Sequence, residues 1–175
     1  MVCWLISGRK SGYSAAAEDK FERKIVNRNM PQPNLIPDKC AFCKIICGET
    51  AVDKVYEDDL ALAFFYLSPV NKGHLLVIPK IHYNGPTQMP ARDWGELMAI
   101  AAELAAGSMR ATRSDAYNLL VGSGASAGQT VPHLCVHVIP RRADDGLALP
   151  ARTVEFDDRE EKERVIRKIK QRMQA

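Results

Sequence analysis

The chain has 175 residues, 46% hydrophobic and 26% charged, enough for one domain with a sizeable core and typical of a soluble globule. Its net charge of +3 is small and no Lys/Arg block is long, so the balance gives no reason to expect a nucleic-acid partner. No apolar run approaches the roughly 18 residues that a membrane span needs, and no membrane partner is expected.

Residues 1–38 read as a surface or partly disordered extension. The opening Met1-Val2-Cys3-Trp4-Leu5-Ile6-Ser7 is too short for a signal-peptide core and has no basic region before it. Asp19 to Arg28 fits a short charged helix, and residues 27–37 are rich in Pro and Asn, like an extended linker. Organellar targeting by this extension stays open, although Glu18, Asp19 and Glu22 are unlike a transit peptide. Five cysteines cannot all pair, and two form a Cys-x-x-Cys. A reducing, cytoplasmic setting fits this better than a secreted disulfide scaffold.

Cys40-Ala41-Phe42-Cys43 opens the compact domain, residues 39–175, and Lys44-Ile45-Ile46 continues a helical turn that Gly48-Glu49-Thr50 breaks. Strands are expected at Val52–Tyr56, Leu60–Leu67 and His74–Ile78, the last stopped by Pro79. Pro90 to about Thr112 is a long helix with Pro90 at its first position. Trp94, Leu97, Met98, Ala101, Leu104, Ala105 and Met109 form its core stripe. Tyr117–Val121 is a fourth strand, and residues 122–128 are a glycine-rich turn. After Pro150, Asp157 to about Met173 reads as a C-terminal helix with Val165, Ile166, Ile169 and Met173 on one side. Strands dominate the middle and consecutive ones most simply pair antiparallel, so the class is α+β.

The fifth strand carries the densest chemistry, in Gln129-Thr130-Val131-Pro132-His133-Leu134-Cys135-Val136-His137-Val138-Ile139-Pro140-Arg141. Successive side chains of a strand point to opposite faces. His133, Cys135 and His137 therefore share one face, and Leu134, Val136 and Val138 the other. Two of the four histidines on one face, with a thiol between them, are costly as mere packing, because each buried imidazole needs a partner. The preceding glycines let backbone N–H groups converge on an anion, and Gln129 and Thr130 add side-chain donors. Such a grouping suits phosphoryl or nucleotidyl transfer. Two readings of Cys135 stay open. Flanking imidazoles lower its pKa and make it a nucleophile, or it is an inert space-filling thiol.

Cys40 and Cys43 form half of a structural zinc site, with His74, His82, His133 and His137 as sources of the other two ligands. The alternative is a pair of free thiols. Spacing alone does not choose.

Three blocks together resemble the histidine-triad (HIT) superfamily of nucleotide hydrolases and transferases. They are Cys40-Ala-Phe-Cys-Lys-Ile-Ile, Asn71-Lys-Gly-His-Leu-Leu-Val-Ile-Pro-Lys-Ile-His82 and Gly128 to Arg141. The resemblance covers about residues 39–142 and implies an antiparallel sheet of about five strands, a long helix, and a homodimer joining two sheets. It implies a purine nucleotide, or a nucleotide conjugate, as ligand and a nucleotidyl-enzyme intermediate. By this resemblance Cys135 takes the nucleophile position and His137 supports it and contacts phosphate. Gly128, Gln129 and Thr130 hold phosphate oxygens, and His74 lies behind the triad. Zinc-containing relatives imply the ligand set Cys40, Cys43, His82 and His133. Three positions depart from the family pattern: Cys135 replaces the middle histidine, Tyr66 an Asp or Asn at the ribose, and Gly122 an Asn near the phosphate. Cys135 can thus be a working nucleophile, the mark of a nucleotide-binding protein that has lost turnover, or a substitution introduced to trap a complex.

Overall fold

The computed structural model describes residues 40–148 and 154–173. The expected charged helix and linker of the N-terminal extension lie outside them. Two compact units are separated at Arg141–Arg142. In the first, α1 (Ala41–Ile46) precedes β1 (Lys54–Glu57), β2 (Ala61–Phe65) and β3 (Leu75–Pro79), then α2 (Ala91–Thr112), β4 (Ala116–Leu120) and β5 (Val136–Arg141). The second unit contains α3 (Arg159–Met173). The α+β class and the five-stranded antiparallel sheet agree with the sequence. Among the described residues no helix is long and apolar enough to cross a membrane.

The sheet order is β1-β2-β3-β5-β4, antiparallel throughout. One expectation needs correction, because β3 and β4 are consecutive but do not pair; β5 inserts between them. The 22-residue α2 separates β3 from β4 in the chain, so no tight turn constrains them to be neighbours. The insertion puts His137 in the middle of the sheet, opposite Leu76 of β3 and Leu120 of β4.

Alternation along the strands builds two cores. Ala61, Ala63, Leu75, Val77, Leu134, Val136 and Val138 pack with Leu97, Ala101 and Ala105 of α2. Leu62, Phe64, Leu76, Ile78 and Cys135 pack with Phe42, Cys43 and Ile45 of α1. The sheet is therefore buried on both faces, which is why β2 and β3 read as unbroken apolar runs. Small residues at 101 and 105 let α2 lie close to the sheet. Ser108 rather than Met109 completes its buried row, and its hydroxyl donates to the Gly73 carbonyl at 2.8 Å.

Helix ends shift by a residue or two from expectation, and the caps explain the shift. Pro90 stands before α2, with extended backbone, and its carbonyl accepts the Trp94 N–H at 2.9 Å. Asp158 accepts the Glu161 N–H at 2.7 Å while Glu161 accepts the Asp157 N–H at 2.9 Å. This reciprocal capping starts α3 at Arg159 rather than Asp157.

Candidate functional site

The chain reaches the sheet centre in a bent approach. His133, Leu134 and Cys135 precede β5, and only His137 lies within it. Alternation nevertheless holds, since Leu134, Val136 and Val138 join one core and Cys135 the other.

His133 is fully buried and its Nε2 lies 2.9 Å from the Pro79 carbonyl oxygen. A carbonyl only accepts, so Nε2 carries the proton and Nδ1 is a free lone pair. That Nδ1 lies 3.5 Å from Cys40 Sγ and 3.6 Å from Cys43 Sγ. His82 repeats the arrangement: its Nε2 lies 3.2 Å from Asn84 Oδ1 and its Nδ1 3.3 Å from Cys43 Sγ. Two thiols and two imidazole lone pairs thus converge, all within 4.8 Å of one another. Oxygen acceptors behind each histidine fix the tautomer that a metal needs, so the four residues fit a metal ion. Burial dominates the protonation of His133 and Cys43. It holds His133 down to about 4, against the Pro79 bond, with a smaller contribution from His82. Burial first, then the Cys40 thiol, pushes Cys43 up to about 12.

Beside this cluster runs a second chain of contacts. The Val70 N–H donates to His74 Nδ1 at 3.3 Å, so the His74 proton is on Nε2. Nε2–H then donates to His137 Nδ1 at 3.0 Å, which places the His137 proton on Nε2, 3.6 Å from Cys135 Sγ. A single backbone amide therefore sets two imidazole tautomers in succession. Burial, then the neighbouring His137, holds His74 down to about 4, and burial also lowers His137. Cys135 moves opposite to the lowering that the nucleophile reading supposed. Its thiol is buried and is pushed up to about 11, because burial disfavours the thiolate more than neutral imidazoles can favour it.

The glycine-rich loop is closed on itself. Gly128 N–H donates to the Ala125 carbonyl at 2.9 Å and Gln129 N–H to that of Gly124 at 3.3 Å. The Gln129 amide accepts the Gly124 N–H at 2.8 Å and donates to the carbonyls of Asn84 at 2.7 Å and His133 at 3.3 Å. Gly128 and Gln129 thus shape the loop and tie it to both histidine segments. Thr130 keeps its N–H and hydroxyl without a partner among the described residues. A Cβ at Gly122 would meet the Ala127 carbonyl oxygen at 2.7 Å, so a side chain there requires a different loop.

Two contributors, Pro79 and Asn84, had no site role in the sequence, and a third, Tyr66, entered only as a departure from the family pattern at the ribose. Tyr66 lays its ring edge-on to His74 and His137, with centroids 4.9 and 5.6 Å away. Pro79 and Asn84 supply the oxygens that orient His133 and His82. The Pro79 role runs through a backbone carbonyl, which no side-chain pattern reveals; His82-x-Asn84 did carry a signal.

A HIT domain model matches residues 48–144, more than half the chain. The chain belongs to the HIT family. It is 38% identical over 116 residues to an adenylylsulfatase of Arabidopsis thaliana, covering 66% of this chain and 59% of that protein; the chain thus spans less than two thirds of that relative. An adenosine 5'-monophosphoramidase of Saccharomyces cerevisiae is 35% identical over 136 residues, 76% of this chain and 84% of the relative. A zinc-bound histidine triad family protein of Mycobacterium smegmatis superposes with a TM-score of 0.61 at 33% identity, covering 74% of this chain and 91% of that one. The matched HIT residues begin after Cys40 and Cys43.

Proposed function

We propose that this HIT protein hydrolyses phosphoramidate or phosphoanhydride bonds of purine nucleotides through a nucleotidyl-enzyme intermediate on Cys135. The observation that carries the reading is the ordered chain from the Val70 amide through His74 and His137 to the Cys135 sulfur. The activities of the Arabidopsis and yeast relatives, an adenylylsulfatase and an adenosine monophosphoramidase, support the substrate class.

In the first step Cys135 Sγ attacks the α-phosphorus. An S–P bond forms, the P–N or P–O bond breaks, and the thiol proton passes to the leaving group. Water then cleaves the S–P bond, releasing the nucleoside monophosphate and restoring the thiol. The Val70 contact denies His137 the tautomer of a base, so its Nε2–H acts as a donor to the thiolate and to a phosphate oxygen. Thr130 supplies the remaining donors, while Gly128 and Gln129 hold the loop.

The metal in this reading is zinc. A tetrahedral ion with its usual sulfur and nitrogen bond lengths separates S and N ligands by about 3.6 Å; Cys40–His133, Cys43–His82 and Cys43–His133 lie 3.5, 3.3 and 3.6 Å apart, and all four ligand atoms fall within 4.8 Å of one another. Cys40, Cys43, His82 and His133 would hold it, and with four protein ligands zinc would supply a structural clamp rather than an activated water. A homodimer through the exposed edge strand β4, where Tyr117 and Leu120 are exposed, completes the proposal, and sedimentation velocity checks it.

A second reading has an observation of its own. With the Cys135 thiol pushed up to about 11, roughly one in ten thousand is thiolate at pH 7. That favours a nucleotide-binding protein with weak turnover. AMP release from adenosine 5'-phosphoramidate and from a dinucleoside polyphosphate separates the readings. Release that falls by orders of magnitude in C135A supports the nucleophile. AMP binding by calorimetry without release, with turnover gained in C135H, supports the binding protein. Neither binding nor release refutes both.

A further inference from the structure

Helix α3, considered by itself, has features that nucleotide chemistry does not use. Seven of its fifteen residues are basic and three are acidic. The chain as a whole has a net charge of only +3, so the remainder is slightly acidic and the positive charge is concentrated on this helix. Two of the three acids are engaged along the back of the helix, Glu163 with Arg159 at 2.9 Å and Arg167 at 3.9 Å, and Glu160 with Arg164 at 3.1 Å; the third, Glu161, stands at the margin below Val165 and Lys168 and is used in the cap. Lys162, Lys168, Lys170 and Arg172 have no acidic partner among the described residues.

The apolar side chains are grouped and open. Val165, Ile166, Ile169 and Met173 fall within an arc of about 100° at helical spacing, and they are 38%, 41%, 57% and 82% exposed. Lys168 and Arg172 flank this arc on one side and Lys170 on the other. An apolar stripe between basic margins, on a helix with a strongly polar back, is the pattern of a segment that lies in the plane of an anionic lipid surface. The apolar side chains enter the acyl boundary and the free lysines and arginine meet lipid phosphates and carboxylates.

Lys162 decides between this occupant and a second copy of the helix. It lies in line with Ile166, Ile169 and Met173, in the middle of the apolar arc. Against another helix its ammonium would be buried without a carboxylate, which is costly. At a bilayer it extends along the surface and keeps its charge in the headgroups.

We propose that α3 docks this protein peripherally on anionic membranes. The expectation of no membrane partner rested on the lack of an apolar span, and a helix lying in the interface needs none. The proposal is independent of the nucleotide reading.

The test is co-sedimentation of the full chain with vesicles of phosphatidylcholine alone, or containing about 30% phosphatidylserine, at low salt and at about 0.5 M NaCl. The expected result is at least about tenfold stronger uptake by anionic vesicles, reduced by salt, since each free basic residue adds to the attraction. Both K168E/K170E/R172E and I166E/I169E lose that gain. All five positions are solvent-facing, and an unchanged far-UV circular dichroism spectrum verifies that each variant is folded. Equal uptake by neutral vesicles, no uptake at all, or uptake unchanged in either variant overturns the proposal. So does a lipid-free dimer that I166E/I169E dissociates, which would assign the face to a second copy.

Discussion

Gly73 links the fold to the site, and its replacement by alanine has a size the structure lets one work out. Its φ is +86°, and a Cβ there would meet Ser108 Oγ and Thr112 Cγ2 at 2.6 Å each and Pro140 Cγ at 3.3 Å. The left-handed backbone costs a non-glycine residue about 1–2 kcal/mol, and forcing a methyl into a filled space adds about 1–3 kcal/mol. The expected destabilisation of G73A is therefore about 2–5 kcal/mol, a large part of the stability of an ordinary domain. Gly48 is the internal control, because its φ is +78° but nothing lies within 4 Å of the added Cβ. G48A should show the backbone cost alone, about 1–2 kcal/mol. Urea denaturation of the three proteins measures both, and the entropic effect of alanine on the unfolded chain is common to the pair. Gly73 immediately precedes His74, so G73A should also disturb the contact to His137. Equal losses for G73A and G48A would refute the packing argument.

Other outcomes follow from the same geometry. C43S should bring bound zinc from about one per chain to a small fraction of that, measured by elemental analysis, because Cys43 Sγ approaches both imidazoles and a tetrahedral site needs all four ligands. His74 has a folded-state pKa of about 4 against an ordinary 6.5. The unfolded chain therefore binds the extra proton between those values, and stability present above pH 6.5 falls as the pH drops towards 4. The loss at that site is on the order of 3 kcal/mol, and H74Q should flatten the slope of denaturation midpoint against pH. D158A removes the carboxylate that caps α3 and should cost that helix about 1 kcal/mol, read as faster amide exchange in residues 159–163.

Much of this was legible in the sequence because periodicity carries it. The two-residue alternation at 133–138 assigned each side chain to its core, and the helical stripe from Leu97 to Ala105 identified the face of α2 that covers the sheet. Cys-x-x-Cys announced half of a metal cluster, but its partners lie 39 and 90 residues from Cys43, a separation that only the resemblance bridged. The insertion of β5 between β3 and β4 is a tertiary fact with no local mark. The two readings of the Cys135 thiol stayed open in the sequence for a related reason: spacing shows which groups are near, but desolvation depends on what closes over them, here Leu62, Phe64 and Leu76 on the same face. The donors of the glycine-rich loop looked available in sequence because nothing in its composition reveals that the N–H groups of Gly124, Ala127, Gly128 and Gln129 are spent inside the loop.

The central claim is that Cys135 takes up the nucleotide. Rapid quenching of the protein with adenosine 5'-phosphoramidate, followed by mass spectrometry of the intact chain and its peptides, addresses it directly. The account predicts one added AMP group on the peptide containing Cys135, absent in C135A. Turnover without any adduct on that peptide, or an adduct that persists in C135A, would contradict it.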